Sequence, residues 1–192
     1  MISASADNTA LVWDLTGQYG RHRPLQLSSH QLEDLWTDLA TDNGEKAYQA
    51  VWTLVGAAET SVSFLEPRLR PVAAVPSQKI ERMIADLDSD NFEARTQAAR
   101  DLAELGELAE PVCRKALEKQ PSLEVQHALE RLMTVWVKQV LSPSQLRVLR
   151  AIEVLEQVGS PAAQQVLKTL AEGAPGARLT QEAKAALRRM TK

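Results

Sequence analysis

The chain has 192 residues, which is enough for one sizeable domain or for a domain plus a fragment, and it carries a net charge of −3. Its hydrophobic fraction of 44% is rich in Ala and Leu, whereas aromatic residues make up only 4%. Ala and Leu have high helix propensity and strand formers are scarce, so this composition favours helices. The single cysteine, Cys113, excludes an intrachain disulfide.

The sequence shows neither a membrane span nor an export signal. No apolar run approaches the ~20 residues that a transmembrane helix needs. The N-terminus lacks a basic segment followed by an apolar one, which is the pattern of a signal peptide. We therefore expect a cytoplasmic protein with no membrane partner and no need of an oxidising compartment.

The N-terminal segment, residues 1–16, differs in kind from the rest of the chain. Between Ser3 and Asp14 it carries the pattern Ser-x-Ser-x-Asp-x-Thr-x-x-Val-Trp-Asp. This pattern resembles the closing part of a WD repeat, the unit of β-propellers. The resemblance implies that Asp7 lies in a tight turn between two strands and that Trp13 and Asp14 end the third strand of a blade. A propeller needs several four-stranded blades, so we expect the other strands of this one upstream of Met1.

Residues 17–28 are predicted to form a linker, because they are rich in Gly, Pro and charge. Helical spacing of apolar residues begins after them. The first predicted helix opens at Ser28 with Gln31 at its third position, the second starts at Asp42, and a third covers roughly residues 60–70. The segment 71–76, bounded by two prolines, predicts a stiff, extended connector to a fourth helix capped by Ser77.

The fifth predicted helix has the clearest signals. Asp90 is a suitable N-cap and Glu93 completes a capping box. Ala98 and Leu102 belong to one apolar stripe, and Gly106 supplies a left-handed residue that ends the helix.

An imperfect copy of this helix lies 48 residues earlier in the chain. Such a fixed period is typical of solenoids built from helical pairs. The copy aligns Leu39, Asp42, Glu45, Gln49, Ala50 and Leu54 with Leu87, Asp90, Glu93, Gln97, Ala98 and Leu102.

Five further helices are predicted in the second half of the chain. Pro111 lies in the first turn of the sixth, and Ser122 opens the seventh. The eighth begins with a capping box from Ser142 to Gln145 and ends at Gly159. Ser160 caps the ninth, and a Gly- and Pro-rich break at residues 173–176 separates it from the last.

The helical part, residues 29–192, resembles HEAT-type α-solenoid repeats: an Asp before the inner helix, Ala and Leu on its core face, Gly at its end, and Pro near the second helix. The resemblance implies an all-α fold, a right-handed α-solenoid of helical hairpins that follows a short β-strand remnant of a WD repeat. The two parts together resemble the multidomain WD-repeat proteins of planctomycete-like bacteria. That resemblance implies a scaffold or regulatory protein without known chemistry in this region.

No catalytic, cofactor or metal site is predicted. Asp86, Asp88 and Asp90 have the opening spacing of a calcium loop, but Asn91 and Gln97 occupy the positions that need Gly and a bidentate Glu. The three histidines are not paired at helical spacing, so a zinc site is not indicated. Cys113 lies on a core stripe, where a thiol is inert.

Two surface features stand out as candidates for binding. Trp52 is displaced from the apolar stripe of its helix and is predicted at an edge, whereas Trp36 and Trp136 are predicted in the core. Residues 143–192 carry eight basic and four acidic side chains, although the whole chain is acidic. The candidate contacts for a partner or for phosphate are Arg147, Arg150, Arg178, Lys184, Arg188 and Arg189.

These patterns favour a non-catalytic scaffold that binds a protein or peptide, since solenoids offer long, shallow surfaces. The alternative is a nucleic-acid-binding module that uses the C-terminal basic face. A third alternative, an enzyme, needs a pocket in which carboxylate and aromatic side chains converge, and no spacing indicates one.

Overall fold

The computed structural model describes the backbone of residues 2–4 and 10–12, and it describes residues 25–191 except Gln139 and the side chain of Lys138. Strands β1 (Ile2–Ala4) and β2 (Ala10–Val12) pair antiparallel, with Ile2 opposite Val12. Residues 5–9 and 13–24, which include Asp7, Trp13, Asp14 and most of the predicted linker, lie outside the described residues. The WD-repeat interpretation of this segment therefore stays a prediction.

The rest of the described chain is helical, which confirms the all-α class. Two short 3-10 turns, Glu66–Arg68 and Gly106–Leu108, follow α3 and α5. The third helix is shorter than predicted because Pro67 lies where an α-helix would have to continue. The described residues form ten α-helices: α1 Ser29–Asp38, α2 Gly44–Gly56, α3 Ala58–Leu65, α4 Ser77–Asp86, α5 Phe92–Leu105, α6 Glu110–Glu118, α7 Leu123–Lys138, α8 Pro143–Val158, α9 Pro161–Ala171 and α10 Arg178–Met190.

Several helix boundaries lie where the sequence signals place them. Two of the three predicted capping boxes are present: in α8 the Gln145 N–H donates to Ser142 Oγ at 3.2 Å, and the Ser142 N–H donates to Gln145 Oε1 at 2.9 Å. In α1 Ser28 and Gln31 form the same pair of bonds. Gly159 ends α8 in the left-handed conformation at φ +65°.

Three predicted caps are wrong by one residue. Asn43 and Asn91, not Asp42 and Asp90, cap α2 and α5, because the extended backbone that precedes each helix lies at the asparagine. The Asn91 Oδ1 accepts from the Glu93 N–H at 2.8 Å, so Glu93 occupies the second helical position and forms no capping box. Ser77 is the first residue of α4 and caps nothing.

The internal repeat is present in the structure. Helices α1 and α4 have the same length, and their bounds differ by the same 48 residues as the sequence match. Each is followed by a buried leucine, Leu39 or Leu87, and by an asparagine cap. The helices α2 and α5 then bury Ala50 and Leu54, or Ala98 and Leu102, at equivalent positions.

The helices pack around two separate apolar cores. One core, here the outer core, is shared by α1–α3 and α8–α10, and it contains Leu54, Leu65 and Leu155. The other, here the inner core, is formed by α4–α7 and contains Ile80, Leu102 and Leu129. The helix α2 packs directly on α8, which is distant in sequence.

This packing does not confirm the right-handed solenoid. In a solenoid each helical pair contacts the pairs beside it in sequence. Here α1–α3 take α8 rather than α4 as their main partner beyond their own hairpin. In sequence, α4–α7 lie between α1–α3 and α8–α10, which pack together, and α4–α7 form a core of their own.

The loop between α9 and α10 joins the two cores. The Ala174 N–H donates to Val72 O at 2.8 Å, and the Arg178 N–H donates to Glu107 Oε1 at 2.9 Å. A Cβ atom on Gly176 would lie 2.6 Å from Glu107 O and 3.0 Å from the ring of Pro111. Only glycine fits this contact without a shift of backbone.

Candidate protein-interaction surfaces

Two aromatic side chains stand together on the outer face of α2. Tyr48 is 65% exposed and Trp52 is 44% exposed, and their rings meet edge to face with centroids 6.1 Å apart. The pair is flanked four residues before and after by Gly44 and Gly56, where a Cβ atom would meet open space. Leu25 is 46% exposed, and its backbone N–H donates to Gly56 O. We call Leu25, Tyr48 and Trp52 the aromatic patch.

The aromatic patch has the chemistry of a binding hot spot. Trp and Tyr offer large contact areas with few rotatable bonds, so ordering them against a partner costs little entropy. The helix α2 is anchored on its other face by Ala47, Ala50 and Leu54. The rings are therefore presented by a rigid element. The sequence pointed to Trp52 but missed Tyr48, although its i, i+4 spacing from Trp52 places both on one helix face.

The other two tryptophans described here belong to the cores, as predicted. The ring of Trp36 packs edge to face on Phe64 at 6.4 Å, and the guanidinium of Arg147 lies 5.2 Å from it. Trp136 is 9% exposed and packs in the inner core. Its indole N–H has no acceptor among the described residues.

Three of the basic residues predicted to contact phosphate instead contact other groups of the protein. Arg150 reaches from α8 to the α1–α2 loop and donates to Leu39 O at 2.7 Å and Thr41 O at 2.6 Å. Arg189 forms two hydrogen bonds of 2.6 Å with Glu156, which raises the pKa of Arg189 above its ordinary value. Arg147 lies over Trp36. These three guanidinium groups are committed to contacts within the protein.

The remaining three predicted contacts lie on α10. Lys184 and Arg188 are exposed and four residues apart, which places them on one face of the helix. Arg178 lies at the start of the helix, ten residues away from Arg188 and about 15 Å along the axis. It lines two adjoining cavities where the outer and inner cores meet.

These cavities form a groove, here the junction groove. One has a volume of about 370 Å³ and the other about 360 Å³. The two share four lining residues at their border: Val72, Glu107, Gln145 and Arg178. Volumes of this size accommodate small molecules or a few side chains.

The acidic turn and the cysteine have structural contacts. Asp88 accepts from Ser122 Oγ at 2.6 Å, a bond that ties the α4–α5 turn to the start of α7. Cys113 is fully buried in the inner core. Burial, assisted by the nearby Glu110 carboxylate, raises the pKa of its thiol from 9.0 to about 11. Within the described residues, no three side chains of His, Cys, Asp or Glu are grouped so as to hold a metal ion.

The fold places this chain among all-α proteins with a repeated helical hairpin. No family model, curated protein or solved structure matches the chain. The HEAT-like and WD-repeat relationships accordingly remain predictions from the sequence. Among the described helices, none is both long and apolar enough to cross a membrane.

Proposed function

We propose that this chain is a non-catalytic interaction scaffold whose helical part binds a protein or peptide partner through the aromatic patch. The observation that carries the proposal is the exposed Tyr48–Trp52 pair on a helix anchored in the outer core. Burial of these rings against a partner removes a large apolar area from water, which is the main source of affinity at most interfaces.

The repeat supports the same proposal. Helices α1 and α4 have the same length, α2 and α5 each begin at an asparagine cap, and the two hairpins bury leucine and alanine at equivalent positions. Repeated hairpins of this kind fit the HEAT-like interpretation, in which helical pairs present an extended surface. The position of α1 and α2 immediately after residues 1–28 also fits a helical module attached to a WD-repeat part.

The nucleic-acid alternative has less support. A phosphate-binding face needs several cations free to meet the backbone. Arg147, Arg150 and Arg189 are engaged within the protein. Replacing Arg150 by Glu would also remove the bonds that hold the α1–α2 loop, so this variant tests folding rather than binding.

A peptide-display selection tests the role of the aromatic patch. Peptides that bind the wild-type chain are measured again on the double variant Tyr48→Ala, Trp52→Ala. We expect the dissociation constant to rise about tenfold or more, because one hot-spot aromatic contributes ~2 kcal/mol and 1.4 kcal/mol is tenfold.

Phe92→Ala is the matched control. Phe92 is 71% exposed but lies on α5, outside the aromatic patch. Its removal is expected to leave binding unchanged. The proposed surface is refuted if every selected peptide binds the double variant as tightly as it binds the wild type.

A further inference from the structure

The junction groove carries positive charge at one end. The cavity of about 360 Å³, here the arginine cavity, is lined by Arg68, Arg70 and Arg178 and by one acidic residue, Glu107. The guanidinium of Arg68 pairs with Glu33 and lies 3.6 Å from the Phe64 ring centroid. Among the described residues, no ion pair is formed by Arg70 or Arg178. This end therefore attracts an anion.

The other end of the groove has the opposite sign. The cavity of about 370 Å³, here the glutamate cavity, is lined by Glu104, Glu107 and Glu110, with Arg178 at the border between the two cavities. Glu110 pairs with Arg114 at 2.6 Å, and Glu107 accepts from the Arg178 N–H. Glu104 is exposed and makes no ion pair with a described residue. This end attracts a cation.

Apolar side chains line both cavities beside the charged ones. Val148, Leu149 and Leu179 line the arginine cavity, and Leu105, Leu108 and Leu141 line the glutamate cavity. The Trp136 side chain also lines the glutamate cavity.

From this arrangement we infer that the junction groove is a second binding site, which takes an extended peptide segment carrying one acidic and one basic side chain. The acidic side chain lies in the arginine cavity beside Arg70 and Arg178. The basic side chain lies in the glutamate cavity beside Glu104. Apolar side chains or backbone of the peptide cover the leucine walls. Charge complementarity at both ends selects this occupant over a uniformly acidic or basic one.

This site is independent of the aromatic patch. The two surfaces share no residue, because the aromatic patch is formed by Leu25 and α2, whereas the groove is formed by α5, the starts of α6, α8 and α10, the end of α7 and the connectors. A peptide bound in the groove would contact both cores at once. Binding of a peptide there would therefore stabilise the position of the outer core relative to the inner core.

Four pools of short fluorescent peptides test the inference by fluorescence polarisation on the full chain. The pools have equal length and random apolar residues, and they differ at two varied positions: one Glu and one Lys, two Glu, two Lys, or two Gln. We expect the mixed pool to bind about tenfold more tightly than the Gln pool, equivalent to ~1.4 kcal/mol, and to lose that advantage as salt is raised.

Charge-reversal variants identify the groove as the site. The double variant Arg70→Glu, Arg178→Glu should prefer the pool with two Lys, and Glu104→Lys should prefer the pool with two Glu. Arg188→Glu makes the same charge change as Arg178→Glu on the same helix but outside the groove, and it should keep the preference of the wild type. Circular dichroism establishes that each variant is folded.

Equal binding of the four pools, no binding of any pool, or an unchanged preference in the reversal variants would overturn the inference. The Tyr48→Ala, Trp52→Ala variant is measured with the same pools. Its preference should equal that of the wild type, since the aromatic patch contributes nothing to the groove. If the pools show no charge preference but the aromatic patch still binds its peptides, only the second site is refuted. If the pools show the expected preference but the aromatic patch does not bind its peptides, only the proposed function is refuted.

Discussion

At the scale of residues, an arginine side chain donates to an equivalent backbone carbonyl group in each copy of the hairpin, but the arginine comes from a different helix in each copy. Arg150 donates to Thr41 O in the first copy, and Arg95 donates to Ser89 O at 2.6 Å in the second. Thr41 and Ser89 are separated by the 48-residue period, so the two carbonyl groups are equivalent. In the second copy the arginine comes from α5 itself, whereas in the first it comes from α8. Arg150, which the sequence predicted to contact a partner or phosphate, therefore holds the α1–α2 loop in place.

The buried thiol of Cys113 gives the stability of the protein a pH dependence. Its pKa rises from 9.0 to about 11 on folding, so the folded chain holds a proton that the unfolded chain loses. The stabilisation from this group is complete below pH 9 and is lost as the pH rises through 11. We expect the free energy of unfolding of the wild type to fall more steeply between these pH values than that of Cys113→Ala. Urea titrations at several pH values measure both slopes, and parallel slopes would contradict the prediction.

At the scale of elements, the sequence was informative wherever one residue type has one clear role. Ser142 before Pro143, with Gln145 after it, marked the start of α8, and Gly159 marked its end, because few other roles suit those residues there. The pairs Asp42-Asn43 and Asp90-Asn91 were ambiguous, since either residue can cap a helix. Which of them does so depends on where the backbone turns, and tertiary packing decides that.

The caps of α5 allow a direct comparison of neighbouring residues. Asn91 Oδ1 accepts from the Glu93 N–H, whereas Asp90 makes no such bond to the first turn. We expect Asn91→Ala to lower the free energy of unfolding by about 1 kcal/mol and Asp90→Ala to leave it nearly unchanged. Urea denaturation of the two variants decides between the residues, and a larger loss for Asp90→Ala would restore the original assignment.

At the scale of the whole molecule, the partners of the apolar stripes were not predictable. Stripes of Ala and Leu on α2, α5 and α8 are chemically alike, so periodicity identifies the buried face of each helix but not the helix that covers it. The repeat favoured packing between neighbours in sequence. The structure instead packs α2 on α8 and leaves α4–α7 with a core of their own. The junction groove was equally hidden, because its charges come from separate segments of the chain.

The glycine contact between the two cores predicts a strong effect of a small substitution. Gly176→Ala places a methyl group 2.6 Å from Glu107 O, a distance that forces backbone to move. We expect a loss of ~1–3 kcal/mol in the free energy of unfolding, which is typical of overpacking.

Gly56→Ala is the matched control for Gly176→Ala. No atom lies within 4 Å of its added Cβ, and the residue is helical, so a gain of up to about 1 kcal/mol is expected. Thermal unfolding of both variants gives the comparison. If Gly176→Ala is as stable as the wild type, the backbone at this contact moves without loss of stability, and the prediction is wrong.

The packing of α2 on α8 has a consequence for synthesis of the chain. The helices α1–α3 leave the ribosome with their apolar faces uncovered, and the helices that cover them are made only after the whole of α4–α7. The inner core draws on consecutive helices and is therefore the first that can be completed. Nascent chains in which α7 but not yet α8 has left the ribosome should thus contain a folded α4–α7 segment next to an N-terminal stretch that chaperones still recognise as unfolded.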